Sequence, residues 1–448
     1  MISFAFSRCS SGSFGTSSIV ASPGSERTRS HVEDDAKMRF GQTARLILLS
    51  RPNSRSRRQP PMTPLPNIET LDVAAEAPVL TLDGLADEPV IIESITLRKK
   101  DNQYYVHARS RDGVEGLAFT NGRASYYHPI LNQLIIPCFI GKDARDLEQL
   151  LVDVYRHSSN YKMLGQALWC PVAWVELALL DLLGRTYGRS IATLLGGAVR
   201  EGVRFYVASG RRDSTAQEEV AYLQSLVQKT GAHAVKFRVG GRMSANADAS
   251  PGRTESLIQL AREKLGEGID LHADANSSYD PPQAIEIGRR LEDVGAVYFE
   301  EPCPFDHLED TKRVADALTI PVSGGEQESS QRRFRWMIAN RGVDIVQPDI
   351  HYYGGLIRST RVARMAAIMG MPTTVHISGG FGFVYMLIFA SVTANIGAYQ
   401  EYKRGIEERA SWFEPVLETH DGSLSVPTGP GTGVADIRRF LDGTELIG

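Results

Sequence analysis

The chain has 448 residues, 42% of them apolar and 23% charged, with 49 Lys and Arg against 53 Asp and Glu and a formal net charge of −4. That length allows two domains, one of them of barrel size. The slight acidity argues against a nucleic-acid or membrane-surface partner, and the scattered Cys9, Cys138, Cys170 and Cys303 share no metal-like spacing and read as reduced thiols of a cytoplasmic protein.

Residues 1–62 differ from the rest. Ser, Arg and Pro dominate, and ten Lys and Arg against four Asp and Glu make this stretch net +6, which leaves the remainder at −10. The first 24 residues lack acids and are rich in serine, as transit peptides are. Their composition cannot bury a core, so a disordered tail, or a true start at Met38 or Met62, is the better expectation. The tail is drawn to residue 87.

From Glu88 the pattern becomes regular. VIIESITLRK and QYYVHARS alternate as strands do and are joined by the polar turn KKDN, and GVEGLAF follows as a third strand. The polar, aromatic stretch TNGRASYYHP (120–129) reads as a loop. A helix then starts at the N-cap Asp143, with Asp146 in its first turn and Leu147, Leu150, Leu151 and Val154 as its inner stripe. The apolar run from Met163 to Leu183 contains Gln166, Pro171, Glu176 and Asp181, which marks a buried helix and not a membrane span. A short helix at 190–195 ends at Gly196 and Gly197. Three strands followed by helices make residues 88–202 an α+β domain.

Residues 203–411 repeat strand and helix, starting with RFYVASG. The helices are expected over 215–230, 253–265, 282–294, 307–317, 330–340, 355–369 and 383–395, and YQEYK (399–403) reads as an eighth strand. Six apolar segments in this run end in chemically capable side chains. AVKFRVG carries Lys236 and Arg238, IDLHADAN carries Asp274 and Asn276, and AVYFEEP carries Glu300 and Glu301. IPVSGGE ends at Glu326, DIVQPDI holds Asp349 and MPTTVHIS holds His376. Successive spacings from Asp274 through Glu300, Glu326 and Asp349 to His376 are 26, 26, 23 and 27 residues, each one strand, one helix and two loops. Ionisable groups at consecutive strand ends are the signature of a parallel α/β barrel, whose chemistry sits at the C-terminal ends of its strands. Residues 412–448 are turn-rich, end in a short helix and are expected to pack back on the first domain.

Asp274, Glu300 and Glu326, on three consecutive strands, converge on one side of the mouth. Oxygen-only ligands suit Mg²⁺, with Mn²⁺ as the alternative, and do not suit zinc. Across the mouth, Lys236 and Arg238 lie two apart on one strand and so share a face. Asp349 on the sixth strand is placed to orient His376 on the seventh. His233, His272, His307 and His351 have no such partner and read as structural or exposed. A cation flanked by bases points to removal of a proton from the carbon next to a substrate carboxylate. A metal-dependent hydrolase would carry His-x-His on the first strand, and RFYVASG has none.

These residues resemble the enolase superfamily, and within it the mandelate racemase subgroup. The resemblance covers residues 88–448 and rests on Lys236-x-Arg238, Asp274-Ala-Asn276, Glu300-Glu301-Pro302, Gly325-Glu326, Pro348-Asp349 and His376. The text from Ala178 to Gly197 adds to it. The resemblance implies an N-terminal α+β capping domain over a modified TIM barrel, (β/α)₇β. It also implies Mg²⁺ on Asp274, Glu300 and Glu326, a catalytic His376–Asp349 dyad, substrate contacts from Asn276 and Glu401, a small-molecule carboxylate substrate and a homo-oligomer. Two departures matter. KKDN is short where relatives carry a loop that closes over substrate, so Arg123, Tyr126, Tyr127 and His128 become candidate contacts. Arg238 replaces the family's second lysine, and arginine holds its proton too firmly to serve as a base. That counts against a racemase, epimerase or cycloisomerase and favours an aldonate or aldarate dehydratase that forms a 2-keto-3-deoxy acid. In such an enzyme His376 moves the proton, Lys236 is an electrostatic stabiliser or, second, a base of its own, and Arg238 holds the carboxylate or the enediolate.

Overall fold

The computed structural model describes residues 67–85, 87–402 and 405–448. The expectations for residues 1–66 lie outside the described residues. Strands β1 (Ile92–Lys100), β2 (Gln103–Ser110) and β3 (Glu115–Phe119) form an antiparallel meander, and Glu445–Ile447 adds a fourth strand on the outer edge of β1. The sheet lies on the helix Gly165–Tyr187, whose residues from Leu168 to Gly184 are all buried. Contact is close at Gly116, where a Cβ would fall 2.3 Å from the Ala178 carbonyl oxygen and 2.5 Å from the Leu182 nitrogen. Although this helix is long and apolar enough to cross a bilayer, 94% of its most apolar window is buried inside the protein.

Two acids inside that helix tie the layers together. Asp181 accepts hydrogen bonds from the Leu117 N–H (2.9 Å), Arg185 (2.8 Å) and the Thr432 N–H (2.7 Å), so it joins β3 to the C-terminal segment. Glu176 accepts from the Ile357 N–H (3.2 Å) at the start of the helix Leu356–Ile368, where a helix N-terminus presents free donors. Burial pushes the Glu176 carboxyl up from 4.5 to about 8, against the opposing pull of the Ile357 and Leu356 N–H groups.

The barrel strands β4 (Gly202–Ala208), β5 (Ala234–Arg238), β6 (Asp270–Asp274), β7 (Tyr298–Glu300), β8 (Val322–Gly324) and β9 (Ile345–Val346) run parallel in sequence order, and β10 (Gln400–Tyr402) returns beside β4. The seventh position is held by single bridges from Val346 to Thr373, Asp349 to His376 and Thr373 to Ile396. Side chains complete that seam. Gln400 accepts from the Val375 N–H and Glu401 from the Ile377 N–H, both at 2.9 Å. Among the described residues, seven helices of nine residues or more, from Ala216–Thr230 to Phe383–Val392, alternate with the strands at bounds within three residues of the sequence reading, and a short helix, Ile350–Tyr353, precedes the sixth of them.

Two expectations need correction. The helix Ile68–Glu76, which the sequence reading left in the tail, docks on the barrel because Leu71 and Ala75, one turn apart, bury against Phe334, Met337 and Val362. The stretch read as a loop at 120–129 turns helical at Ala124–Ile130 and continues to Ile135. Its apolar stripe of Ala124, Leu131 and Ile135 becomes visible only when the window extends past Pro129.

The Glu176 environment generates a test. The folded chain holds a proton that the unfolded chain releases, so between about pH 4.5 and 8 stability falls as pH rises, by at most about 1.4 kcal/mol per pH unit. Glu176→Gln should flatten this loss in urea melts taken at pH 5, 6.5 and 8. Parallel losses in both proteins would show that Glu176 is not the cause.

Candidate active site at the mouth of the barrel

Parallel register sets the site. Arg238 pairs with Asp274, and Asp274 with Glu300, so three ionisable residues stand side by side on the last rungs of β5, β6 and β7. Neighbouring strands lie about 4.8 Å apart. Ligand oxygens of Asp274, Glu300 and Glu326 correspondingly lie within 4.8 Å of one another. Glu326 reaches the group from beyond β8 because the chain turns at Gly325, which has φ +117° and would set a Cβ 2.7 Å from the Phe334 ring. Asn276, Ser277 and Glu301, just past their strand ends, also hold positive φ (43°, 63° and 42°), so backbone strain collects at the mouth.

All three carboxylates are buried. Lys236, itself fully buried, donates to both oxygens of Glu300 (2.8 and 3.0 Å) and lies 3.6 Å from Glu401 and 3.8 Å from Asp274. Burial would lower its pKa, but Glu300 and Glu401 outweigh burial and hold the ammonium above its usual range. Glu300 is held below its usual range because Lys236 and Arg238 outweigh its desolvation. Gln347 donates to Glu300 from β9's end at 3.1 Å. Asp274 accepts from the Asn276 N–H (2.7 Å) and side-chain amide (3.3 Å), and the Arg238 guanidinium rests on its second oxygen. Arg238 is 6% exposed, and its Nε has no hydrogen-bond acceptor. Beneath the acids the barrel is closed by aromatic rings. His272 stacks on Tyr298 at 4.0 Å, Tyr206 meets it edge-on, and Lys236 lies over Tyr206. Burial and the nearby Lys236 push His272 down to about 3, so it is a neutral packing residue.

His376 Nδ1 lies 2.8 Å from Asp349, and its Nε2 lies 3.6 Å from Glu326. Burial lowers its pKa, and Glu326, Asp349 and Glu401 more than reverse that, so the ring is the more basic for its setting. Asp349 also accepts from the Tyr352 N–H (2.9 Å) and the Ser378 hydroxyl (3.2 Å). Asn121, from the N-terminal domain, donates to Ser378 at 2.9 Å. Both nitrogens of His351 are occupied, by Ser378 and the Phe119 carbonyl, which fits its structural reading.

Comparison with known proteins sharpens the picture. Residues 79–196 match the N-terminal domain of the mandelate racemase / muconate lactonizing enzyme family, and residues 218–436 match the enolase C-terminal domain-like family. The chain belongs to the mandelate racemase / muconate lactonizing enzyme family. It therefore has the enolase-superfamily fold, a capping domain over a TIM barrel, and it is an enzyme whose curated relatives are mostly hydro-lyases. It is 28% identical to an arabinonate dehydratase of Saccharolobus solfataricus over 80% of this chain and 91% of that protein. It is 31% identical to a D-galactarolactone cycloisomerase of Agrobacterium fabrum over 66% and 79% of the two chains. Among solved structures, a racemase candidate from Roseobacter denitrificans superposes with a TM-score of 0.73 at 35% identity, covering 80% of this chain and 99% of that one. A Paracoccus denitrificans family protein in complex with magnesium gives 0.72 at 26%, with the same coverage.

The donor set fits the kind of ion that the Paracoccus protein holds. Three buried carboxylates converge without sulfur or nitrogen, and the two cations beside them are attached to Glu300 and Asp274, whereas Glu326, among the described residues, meets the amide of Gln327 and the more distant His376. A cation at the trio would compete with Arg238 for Asp274.

The structure brings Lys236, Arg238, Asp274, Asn276, Glu300, Glu326, Asp349, His376 and Glu401 to one mouth, at different depths. Lys236 and Glu401 are fully buried, and Glu401 divides its oxygens between the Ile377 N–H and Lys236. Of the 120–129 candidates, Arg123 stacks over Tyr352 (4.7 Å) whereas Tyr126 is 74% exposed. Sequence reasoning missed Gln347, although it lies two residues before Asp349 and so shares its face. It also missed Ser378 and Asn121, which carry no local signal. Lys236→Met should destabilise the metal-free protein by about 3–5 kcal/mol, because Glu300 and Glu401 would be left buried without their counter-charge. An unchanged urea midpoint would contradict that role.

Proposed function

We propose that the chain is a Mg²⁺-dependent sugar-acid dehydratase, with Mn²⁺ as an alternative ion. The observation that carries this is an asymmetric pair of flanks. One side of the carboxylate trio has His376 oriented by Asp349, and the other has Arg238, which cannot give up its proton at ordinary pH. A divalent cation held by Asp274, Glu300 and Glu326 supplies a Lewis acid that makes the carbon next to a bound carboxylate more acidic. With Nδ1 committed to Asp349, Nε2 of His376 takes the α-proton, and the C–H electron pair moves into an enediolate. Arg238, with its free Nε donor, holds the negative oxygens. The imidazolium then returns its proton to the β-hydroxyl as the C–O bond breaks and water leaves. The enol tautomerises to a 2-keto-3-deoxy acid.

Lys236 acts as a fixed positive charge, since its ammonium is locked among three carboxylates and shielded from substrate. Asn276 and Glu401 position other groups: Asn276 holds Asp274, and Glu401 holds Lys236 and the seventh strand. A racemase needs a base on both faces of the carbon, and neither Lys236 nor Arg238 is suited to be the second. The cycloisomerase reading rests on the Agrobacterium relative. Free thiols at Cys138, Cys170 and Cys303 support a reducing, cytoplasmic setting. The substrate is a small carboxylate, and a homo-oligomer is the assembly we expect.

Purified protein with Mg²⁺ should convert one or more acids in a stereochemically complete set of aldonates and aldarates to 2-keto acids, and Glu326→Gln should abolish the conversion. Lactone opening or closure without 2-keto acid would favour the cycloisomerase. Inversion at the α-carbon would favour a racemase.

A further inference from the structure

Two guanidiniums beside the trio share one neutral acceptor, the Asn276 side-chain oxygen. Arg212, in the loop after β4, donates to the Gly240 carbonyl (3.0 Å) and the Asn276 side-chain oxygen (3.0 Å). Arg242, in the loop after β5, approaches the same Asn276 oxygen at 3.4 Å. Among the described residues, no carboxylate pairs with either. A further cation, Arg253, is buried and spends its donors on the carbonyls of Ser214, Arg238 and Arg211. Burial, then Arg238, Arg242 and Arg253 in turn, push Arg212 down to about 10. Like charges gathered on one neutral oxygen repel one another, and an anion would relieve the repulsion.

The arrangement is held in place. Arg242 sits in a loop with left-handed residues at Met243, Ala245 and Asn246. That loop is fastened to the end of β6 by the Met243 N–H on the Asn276 carbonyl (3.1 Å) and the Asn246 N–H on the Ser278 carbonyl (2.8 Å), and Asn246 and Asp280 bond reciprocally. Arg212 is half-buried and Arg242 exposed, so a ligand reaches both from the mouth. One side chain, Asn276, links the pair to Asp274, which puts the guanidiniums within the span of a six-carbon chain from the trio.

We propose that Arg212 and Arg242 bind a terminal carboxylate at the far end of the substrate, so that the enzyme acts on aldarates, sugar diacids, in preference to aldonates. This rests on the dehydratase reading for the chemistry but on the arginine pair alone for the preference. Two carboxylates at opposite ends of the ligand match two separate cationic groups of the site, and hydrogen bonds between a carboxylate and guanidinium are among the stronger ones.

The test compares six-carbon aldarates with aldonates of the same stereochemistry, in turnover and in calorimetric binding to the Mg²⁺-loaded protein. The best aldarate should lead its matched aldonate by about tenfold or more, and Arg242→Gln, an exposed change, should erase most of that lead through KM, with kcat moving less. Arg212→Lys should restore more of the lead than Arg212→Met. A diacid preference in binding without 2-keto acid formation would sustain this inference and sink the dehydratase reading. Dehydration of aldonates as readily as aldarates, or a ratio that Arg242→Gln leaves unchanged, would overturn the inference and leave the dehydratase reading intact. A preference for 6-phosphorylated aldonates would also overturn it, by naming phosphate as the distal group.

Discussion

Three buried carboxylates share one small space, and the rest of the mouth follows from that. Two unit charges 4.8 Å apart repel by about 3–4 kcal/mol even at an effective dielectric constant near 20. The fold compensates with fixed positive groups and donors at each acid: Lys236 and Gln347 on Glu300, Arg238 and the Asn276 amides on Asp274, and Gln327 on Glu326. A hard divalent cation is the partner that oxygen donors at this spacing favour.

The same economy explains how the base is held. His376 is aimed by Asp349, and both Asp349 oxygens are occupied, one by the ring and the other by the Tyr352 N–H and Ser378. Ser378 in turn receives Asn121 from the N-terminal domain, while Phe119, two residues earlier, donates its N–H to Tyr385, receives His351 on its carbonyl and stacks on Phe381 at 3.5 Å. The N-terminal domain therefore contributes one link, Asn121 to Ser378, to the network around the imidazole's partner Asp349.

Much of this was legible in the sequence because the barrel makes it so. A period in the middle twenties with an ionisable residue at each strand end gives strand order, direction and the converging face at once, and parallel register turns neighbours in that list into neighbours in space. Asp274, Glu300 and Glu326 follow from that logic, as do Asp349 and His376. What was not legible depends on contacts between distant segments. The helix at 68–76 carries only two buried side chains, too few for a periodic signal. Asn121 acquires its place by crossing from one domain to the other. Strand position left Lys236 open as an electrostatic stabiliser or a base, and its three carboxylate neighbours and complete burial, which no local pattern shows, favour the stabiliser. Arg212 and Arg242 sit in loops, where spacing carries no geometric information.

The central claim is that His376 is the group that moves the α-proton. The direct measurement is exchange of that proton for deuterium in heavy water, by wild-type protein and by His376→Asn, with Mg²⁺ present and each acid that the wild type binds. The account predicts exchange or dehydrative loss of the α-proton with the wild type, and a fall of about a hundredfold or more in the variant, the usual size of a general base contribution. Exchange that persists undiminished in His376→Asn would contradict the account, because it would require a base on the side where the structure places only a locked lysine and an arginine.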